Sequence, residues 1–176
     1  MKNLLLTLLM FVTLSTFSQS STWIPVVIEE GKDMEYLAFE KNWMSINKAL
    51  IDAGYRTGWS VWKRTPKDGD DGWAQYYVVV GNNDDKQLSQ EEWAPFMQKA
   101  LGKSQRAISK MMDGSGIIAE ARPLQISWIG GTVYAGSSIK PGDKMYFHYM
   151  TQQNENFEEL ELNVWQPIAE DQIIEG

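Results

Sequence analysis

The chain has 176 residues, 43% of them hydrophobic, which is enough to build one ordinary domain and excludes an intrinsically disordered polymer. Its 16 basic against 23 acidic residues give a net charge of −7, and neither Lys nor Arg clusters, so nucleic acid and anionic lipid are disfavoured as partners. No cysteine is present, which excludes disulfides, thiolate metal sites and a lipid anchor on Cys, and leaves the fold dependent on its core.

Residues 1–20 have the form of a secretory signal. Lys2 supplies the positive start, an apolar run follows from Leu4 to Val12, and Thr16-Phe17-Ser18 or Ser18-Gln19-Ser20 offers a small-residue cleavage site. The run is short for a membrane span and rich in Ser and Thr from Thr13, so the expected product is periplasmic or secreted, with no membrane attachment after cleavage.

Residues 23–28 read as a first strand, with Pro25 pointing to a sheet edge or a strand start. Asp33 is the expected N-cap of a helix whose apolar stripe is Tyr36, Phe39, Trp43, Ile46 and Leu50. Glu35, Glu40, Lys41, Asn47, Lys48 and Asp52 are expected mainly on its other side. Gly54 ends this helix, since a glycine there accepts the left-handed conformation at no steric cost. Residues 55–63 and 73–80 form two further strands, joined by the turn-rich residues 65–72 as an antiparallel hairpin.

Ser89 and Glu92 have capping-box spacing and open a second helical region, which Pro95 and Gly102 bend or divide. A fourth strand lies within 117–128, interrupted near Pro123. Residues 130–143 form a Gly/Ser/Pro-rich linker, and 144–150 begin another strand. A degraded copy of the first helix then follows. Tyr36, Phe39, Glu40 and Asn42 fall on Phe157, Leu160, Glu161 and Asn163 at a constant offset. One extra residue later, Trp43, Ile51 and Gly54 meet Trp165, Ile173 and Gly176. Strand, loop and helix repeat together, the mark of an internal duplication.

The resulting fold class is α+β: a β-α-β-β-α-β module at 21–129, the split arrangement of ferredoxin-like domains, followed at 144–176 by the β-α opening of a second, incomplete module. In this element order, and in the pattern Trp43, Gly54 and Trp59, the chain resembles the dimeric α/β-barrel superfamily. Members of that superfamily include haem-degrading and antibiotic-biosynthesis monooxygenases, muconolactone isomerases and stress-responsive barrel proteins. The resemblance implies helices on one sheet face and a second sheet over the other. That cover comes from a second module or a homodimer partner. Aromatics on both faces of the predicted strands agree, because leaving Trp62, Trp73 and Tyr77 in water would forfeit about 1.5–3 kcal/mol each.

The more polar face of the hairpin is the candidate ligand site: Arg56, Ser60 and Trp62, with Gln75 and Tyr77 from the next strand. Arg fixes an anionic group and Trp or Tyr stacks on a flat ligand. A plain module interface is the competing reading of the same face. His148 is the only histidine and joins the candidates, but it stands alone on a predicted strand, whereas haem-degrading relatives place an axial histidine on a helix. The acidic turns Asp68 to Gly72 and Asn82 to Asp85 lack the terminal Glu of a calcium loop, and the apparent phosphate motifs at Gly102 and Gly114 lie in the wrong context. No metal and no cofactor is expected. The function expected is an exported protein that binds a small aromatic or anionic ligand or interacts with a partner. The alternative is a barrel-superfamily enzyme, a cofactor-free monooxygenase or isomerase of an aromatic or polyketide-like substrate, with Arg56 and Tyr77 positioning an enolate. A buried carboxylate or His facing the cavity points to the enzyme, and neutral walls to the binder.

Overall fold

The computed structural model describes residues 20–66, 74–127, 140–146 and 150–175, and the chain divides after Ser127 into two units. The first contains β1 (Ser20–Ile28), α1 (Asp33–Asp52), β2 (Arg56–Lys63), β3 (Tyr76–Asn82), α2 (Gln90–Leu101), α3 (Gln105–Met111), β4 (Ile118–Ala121) and β5 (Leu124–Ser127). The antiparallel sheet runs β2-β3-β1-β4, with β5 also on β1. This is the ferredoxin-like topology that the element order implies.

The helical stripe explains the core. Tyr36 and Phe39 of α1 pack on Val26, Ile28, Tyr76, Val78 and Val80 of the sheet, and each such side chain contributes about 1.5–3 kcal/mol by leaving water. Further along, Ile46 and Leu50 meet Met97 of α2 and Ile108 of α3. Gly54 follows α1 at φ 76°, as the capping argument requires. Ser89 and Glu92 complete their capping box at the start of α2, and Gly102 at φ 61° separates α2 from α3. Pro95 is accommodated inside α2.

Three expectations change. Strand β1 is interior, not an edge, and it starts at Ser20. Pro25 is tolerated because its carbonyl, which accepts the Arg122 amide at 3.2 Å, shows which side its ring nitrogen faces, and there β4 has ended and β5 has not begun. Asp33 is not the N-cap of α1, since Lys32 holds that position. The Asp33 carboxylate instead accepts from Tyr76 Oη at 2.7 Å and Lys63 Nζ at 2.8 Å. The fourth strand is split at Pro123 into β4 and β5, as its interruption suggested.

A third change matters most for function. From Lys63 opposite Tyr76 to Gly58 opposite Gly81 the β2–β3 register advances residue for residue, and then Arg56 stands opposite Asn82. Thr57 is the extra residue of a bulge, and it reverses the facing of everything before it. Arg56 therefore shares the helix side with Trp59 and Val61. Ser60 and Trp62 point to the other side with Tyr77 and Val79.

In the second unit, residues 140–142 form a turn in which Asp143 accepts the Lys140 amide at 2.7 Å. Lys144 to Tyr146 and Met150 are irregular, and residues 147–149 of the expected strand lie outside the described residues. Helical structure runs from α4 (Phe157–Leu160) through a π-helical stretch (Glu161–Trp165) to α5 (Gln166–Glu175). A π turn is what one inserted residue makes of an α-helix. Leu160, Trp165 and Ile168 are exposed on this helix.

The bulge makes a specific prediction. A Cβ on Gly81 would sit 2.3 Å from Thr57 Oγ1 and 3.0 Å from the Gly58 amide nitrogen. Gly81→Ala should cost about 1–3 kcal/mol in urea unfolding, as overpacking does. An unchanged midpoint would mean that the bulge yields freely.

Candidate functional site

Between α1 and the sheet lies a cavity of about 350 Å³. Its walls are mainly apolar and aromatic, with Phe39 and Trp43 from α1 and Trp59 from β2. Three polar side chains converge on it: Glu40, Asn47 and Arg56. The α1 stripe supplies all but two of these six. Positions 36, 40, 43 and 47 are spaced by four, three and four, so Glu40 and Asn47 fall inside the apolar stripe.

Glu40 is 7% exposed and Asn47 1%. Asn47 Nδ2 donates to the Trp43 carbonyl at 2.8 Å, which fixes the amide and leaves its oxygen as an acceptor. Arg56 Nη1 donates to that oxygen. Burial pulls the Arg56 guanidinium below its ordinary range, yet an arginine remains a cation through such a shift. The other four guanidinium donors exceed what Asn47 accepts, so Arg56 retains capacity for an oxygen atom in the cavity.

Burial raises the Glu40 carboxyl above its ordinary 4.5, and the Tyr36 hydroxyl beside it pulls the other way more weakly. The Tyr36 hydroxyl is itself fully buried and has no hydrogen-bond partner among the described residues. Burial, then the neighbouring Glu40, push its phenol far above the ordinary 10.0. A carboxyl and a phenol thus sit together in the interior with their charged forms disfavoured. Gly114 contributes by having no side chain: a Cβ there would lie 3.0 Å from Ile118 and 3.4 Å from Phe39.

Of the residues expected from sequence, the structure brings Arg56 to this cavity and separates it from Ser60, Trp62 and Tyr77. The reason is the Thr57 bulge, which the simple alternation of a strand omits. Those three occupy the opposite sheet face, where the Trp62 indole donates to Ser60 Oγ at 2.8 Å. Gln75 precedes β3, and its side-chain carbonyl accepts the Ile28 amide at 3.1 Å. His148, Trp73 and the turn at 68–72 lie outside the described residues. The Asn82–Asp85 turn is used structurally: Asn83 donates to the Gly54 carbonyl at 2.7 Å, and Asp84 accepts from Ser20 Oγ at 2.6 Å. Among the described residues no group of three His, Asp or Glu is placed to hold a metal ion.

Sequence reading did not place Glu40, Trp43, Asn47 or Trp59 together at a candidate site, where the structure groups them around the cavity. One signal was present: the stripe spacing of Glu40 and Asn47.

No protein-family model and no curated protein matches the chain. Among solved structures it is similar to a protein of unknown function from Nitrosomonas europaea, at 13% identity over 68% of this chain and 98% of that one, with a TM-score of 0.42. It is also similar to a Pseudomonas aeruginosa protein, at 5% identity over 64% and 96% of the two chains and a TM-score of 0.43. A dimeric ferredoxin-like protein of unknown function from Thermobifida fusca matches at 8% identity over 64% and 93%, with a TM-score of 0.39.

The Glu40 environment fixes the sign of a pH effect. A carboxyl whose folded pKa is raised binds more protons folded than unfolded above pH 4.5, so its favourable contribution is complete below that value and is lost as pH rises through the folded pKa. Glu40→Gln removes this loss. In urea unfolding the variant should gain stability relative to the parent as pH rises from 4.5 through neutrality. A parent-to-variant difference independent of pH would show that Glu40 is not held in a charge-disfavouring site.

Proposed function

We propose that the chain is an exported protein that holds a small, flat, mainly apolar ligand in the cavity between α1 and the sheet, with Arg56 as the anchor for an oxygen-bearing group. The supporting observation is the convergence of Glu40, Asn47 and Arg56 on an otherwise apolar and aromatic space of ligand size. Ser60, Trp62 and Tyr77, expected with Arg56 on the hairpin face, lie on the other side of the sheet from this cavity.

Export is supported by the Lys2 start and the Leu4–Val12 run. Among the described residues no helix is long and apolar enough to cross a membrane. Cleavage after Ser18 leaves β1 whole. Cleavage after Ser20 would remove the bonds from Ser20 to Asp84 and so weaken the strand's start.

A second reading, an enzyme of the barrel type acting on an aromatic or polyketide-like substrate, is favoured by one observation. Glu40 is a buried carboxyl whose ionisation burial opposes, so it holds a proton more readily than a carboxyl in water. In this reading Glu40 moves a proton and Arg56 steadies an enolate oxygen.

The sheet face away from α1, with Trp23, Trp62, Tyr77 and Val79, is proposed to meet the same face of a second copy. Two cross-strand rows, Trp23 beside Val79 and Pro25 beside Tyr77 and Trp62, put large side chains on one face and favour a cover of matching sheet, and the cyclic pairing of one face with itself closes the assembly.

Native mass spectrometry of the purified mature protein should show a retained small molecule, or the empty protein should bind naphthol with quenching of Trp fluorescence. Arg56→Met should weaken naphthol binding by about tenfold to a hundredfold, the loss of one charge-assisted hydrogen bond. Absence of both a retained molecule and naphthol binding would contradict the proposal.

A further inference from the structure

A second crevice, also about 350 Å³, opens on the helix side of the same sheet. Ser20 and Thr22 of β1, Asn82 of β3 and Gln125 of β5 line it, with Asp84 and Tyr55 from adjacent loops. Its chemistry is the inverse of the first cavity. Every strand residue in it is a neutral hydroxyl or amide.

The two spaces are consecutive along the strands. Ile24 lines the apolar cavity and Thr22 the polar crevice, two residues apart on the same face of β1. Val80 and Asn82 repeat the step on β3, about 7 Å along the strand. Tyr55 lines one space and Arg56, the next residue, lines the other. Two strands thus pass from apolar to polar at the same level, and Arg56 stands opposite Asn82 at that level.

The polar side chains are preset. Asn82 Nδ2 donates to Ser20 Oγ and Thr22 Oγ1, each at 3.2 Å, and Gln125 Nε2 donates to Thr22 Oγ1 at 3.0 Å. Asp84 accepts from the Ser20 amide and hydroxyl. Lys86 is turned elsewhere, donating to the Ala53 carbonyl at 2.6 Å and lying 4.5 Å over the Tyr55 ring. Hence the side chains that line the crevice are amides, hydroxyls and one carboxylate, with no cationic side chain among them. Such a set does not suit a phosphate or carboxylate head. Amides and hydroxyls each offer a donor beside an acceptor, which is what a run of alcohol groups requires.

Building on the ligand reading above, we infer that the ligand is an amphiphile: a flat apolar body under α1 joined, past Arg56, to a neutral polyhydroxyl head in the crevice of Thr22, Asn82 and Gln125. A glycoside or polyol ether of an aromatic compound has this form.

The test compares naphthol with its neutral glucoside, galactoside and glycerol ether, and with its phosphate, by quenching of Trp fluorescence. At least one neutral conjugate should bind about tenfold or more tighter than naphthol, and the phosphate should not. Gln125→Ala, an exposed substitution on β5, should bring that conjugate back to the affinity of naphthol, and Thr22→Val should do the same. Naphthol binding with no gain from any neutral head, a preference for the phosphate, or a gain that survives both substitutions overturns the amphiphile while leaving the cavity reading in place. Failure of every compound, naphthol included, overturns both.

Discussion

The hydrogen bond from Arg56 to Asn47 joins the first residue of β2 to the buried side of α1, across a turn that Gly54 makes possible. Its two partners are polar groups in an apolar interior, and each would be costly if left alone. Together they bridge helix and strand, and both side chains line the cavity beneath α1. Everything proposed about ligands follows from the cavity.

For the pair to form, Arg56 must face the helix, and strict alternation along β2 sends it the other way. The Thr57 bulge corrects this at the cost of a local crowding that only glycine at position 81 relieves. A structural irregularity, a glycine without room for a methyl group and a buried polar contact are therefore parts of one arrangement. Glu40 extends it. The same stripe that drives α1 onto the sheet carries this carboxyl inward, and burial opposes its ionisation. A polar group kept in a core against its hydration preference is the kind of local inconsistency that functional sites show.

Much of the scaffold was legible in the residues. The spacing of Tyr36, Phe39, Trp43, Ile46 and Leu50 located α1, Gly54 its end, and Ser89 with Glu92 the start of α2. Each rests on contacts within a few residues, which local pattern can report. The ferredoxin-like order followed from those elements. What failed was non-local. The Thr57 bulge depends on how β2 meets Gly81 on another strand, so a period-two reading placed Arg56 with Ser60 and Trp62. The interior position of β1 depends on Pro25 lying opposite a break in two other strands. Glu40 and Asn47 were assigned to the wet side of α1 because polar residues usually sit there, although their spacing put them in the stripe. Ser20 and Thr22 were overlooked as strand residues because their face meets a polar crevice in place of a core.

The central claim is that small ligands enter under α1 and not on the opposite sheet face. The eight tryptophans make this directly observable, since each indole N–H gives its own NMR signal. On titration with naphthol, the account predicts that the signals of Trp43 and Trp59 move first and furthest. Movement confined to Trp23 and Trp62, with Trp43 and Trp59 unchanged, would contradict it.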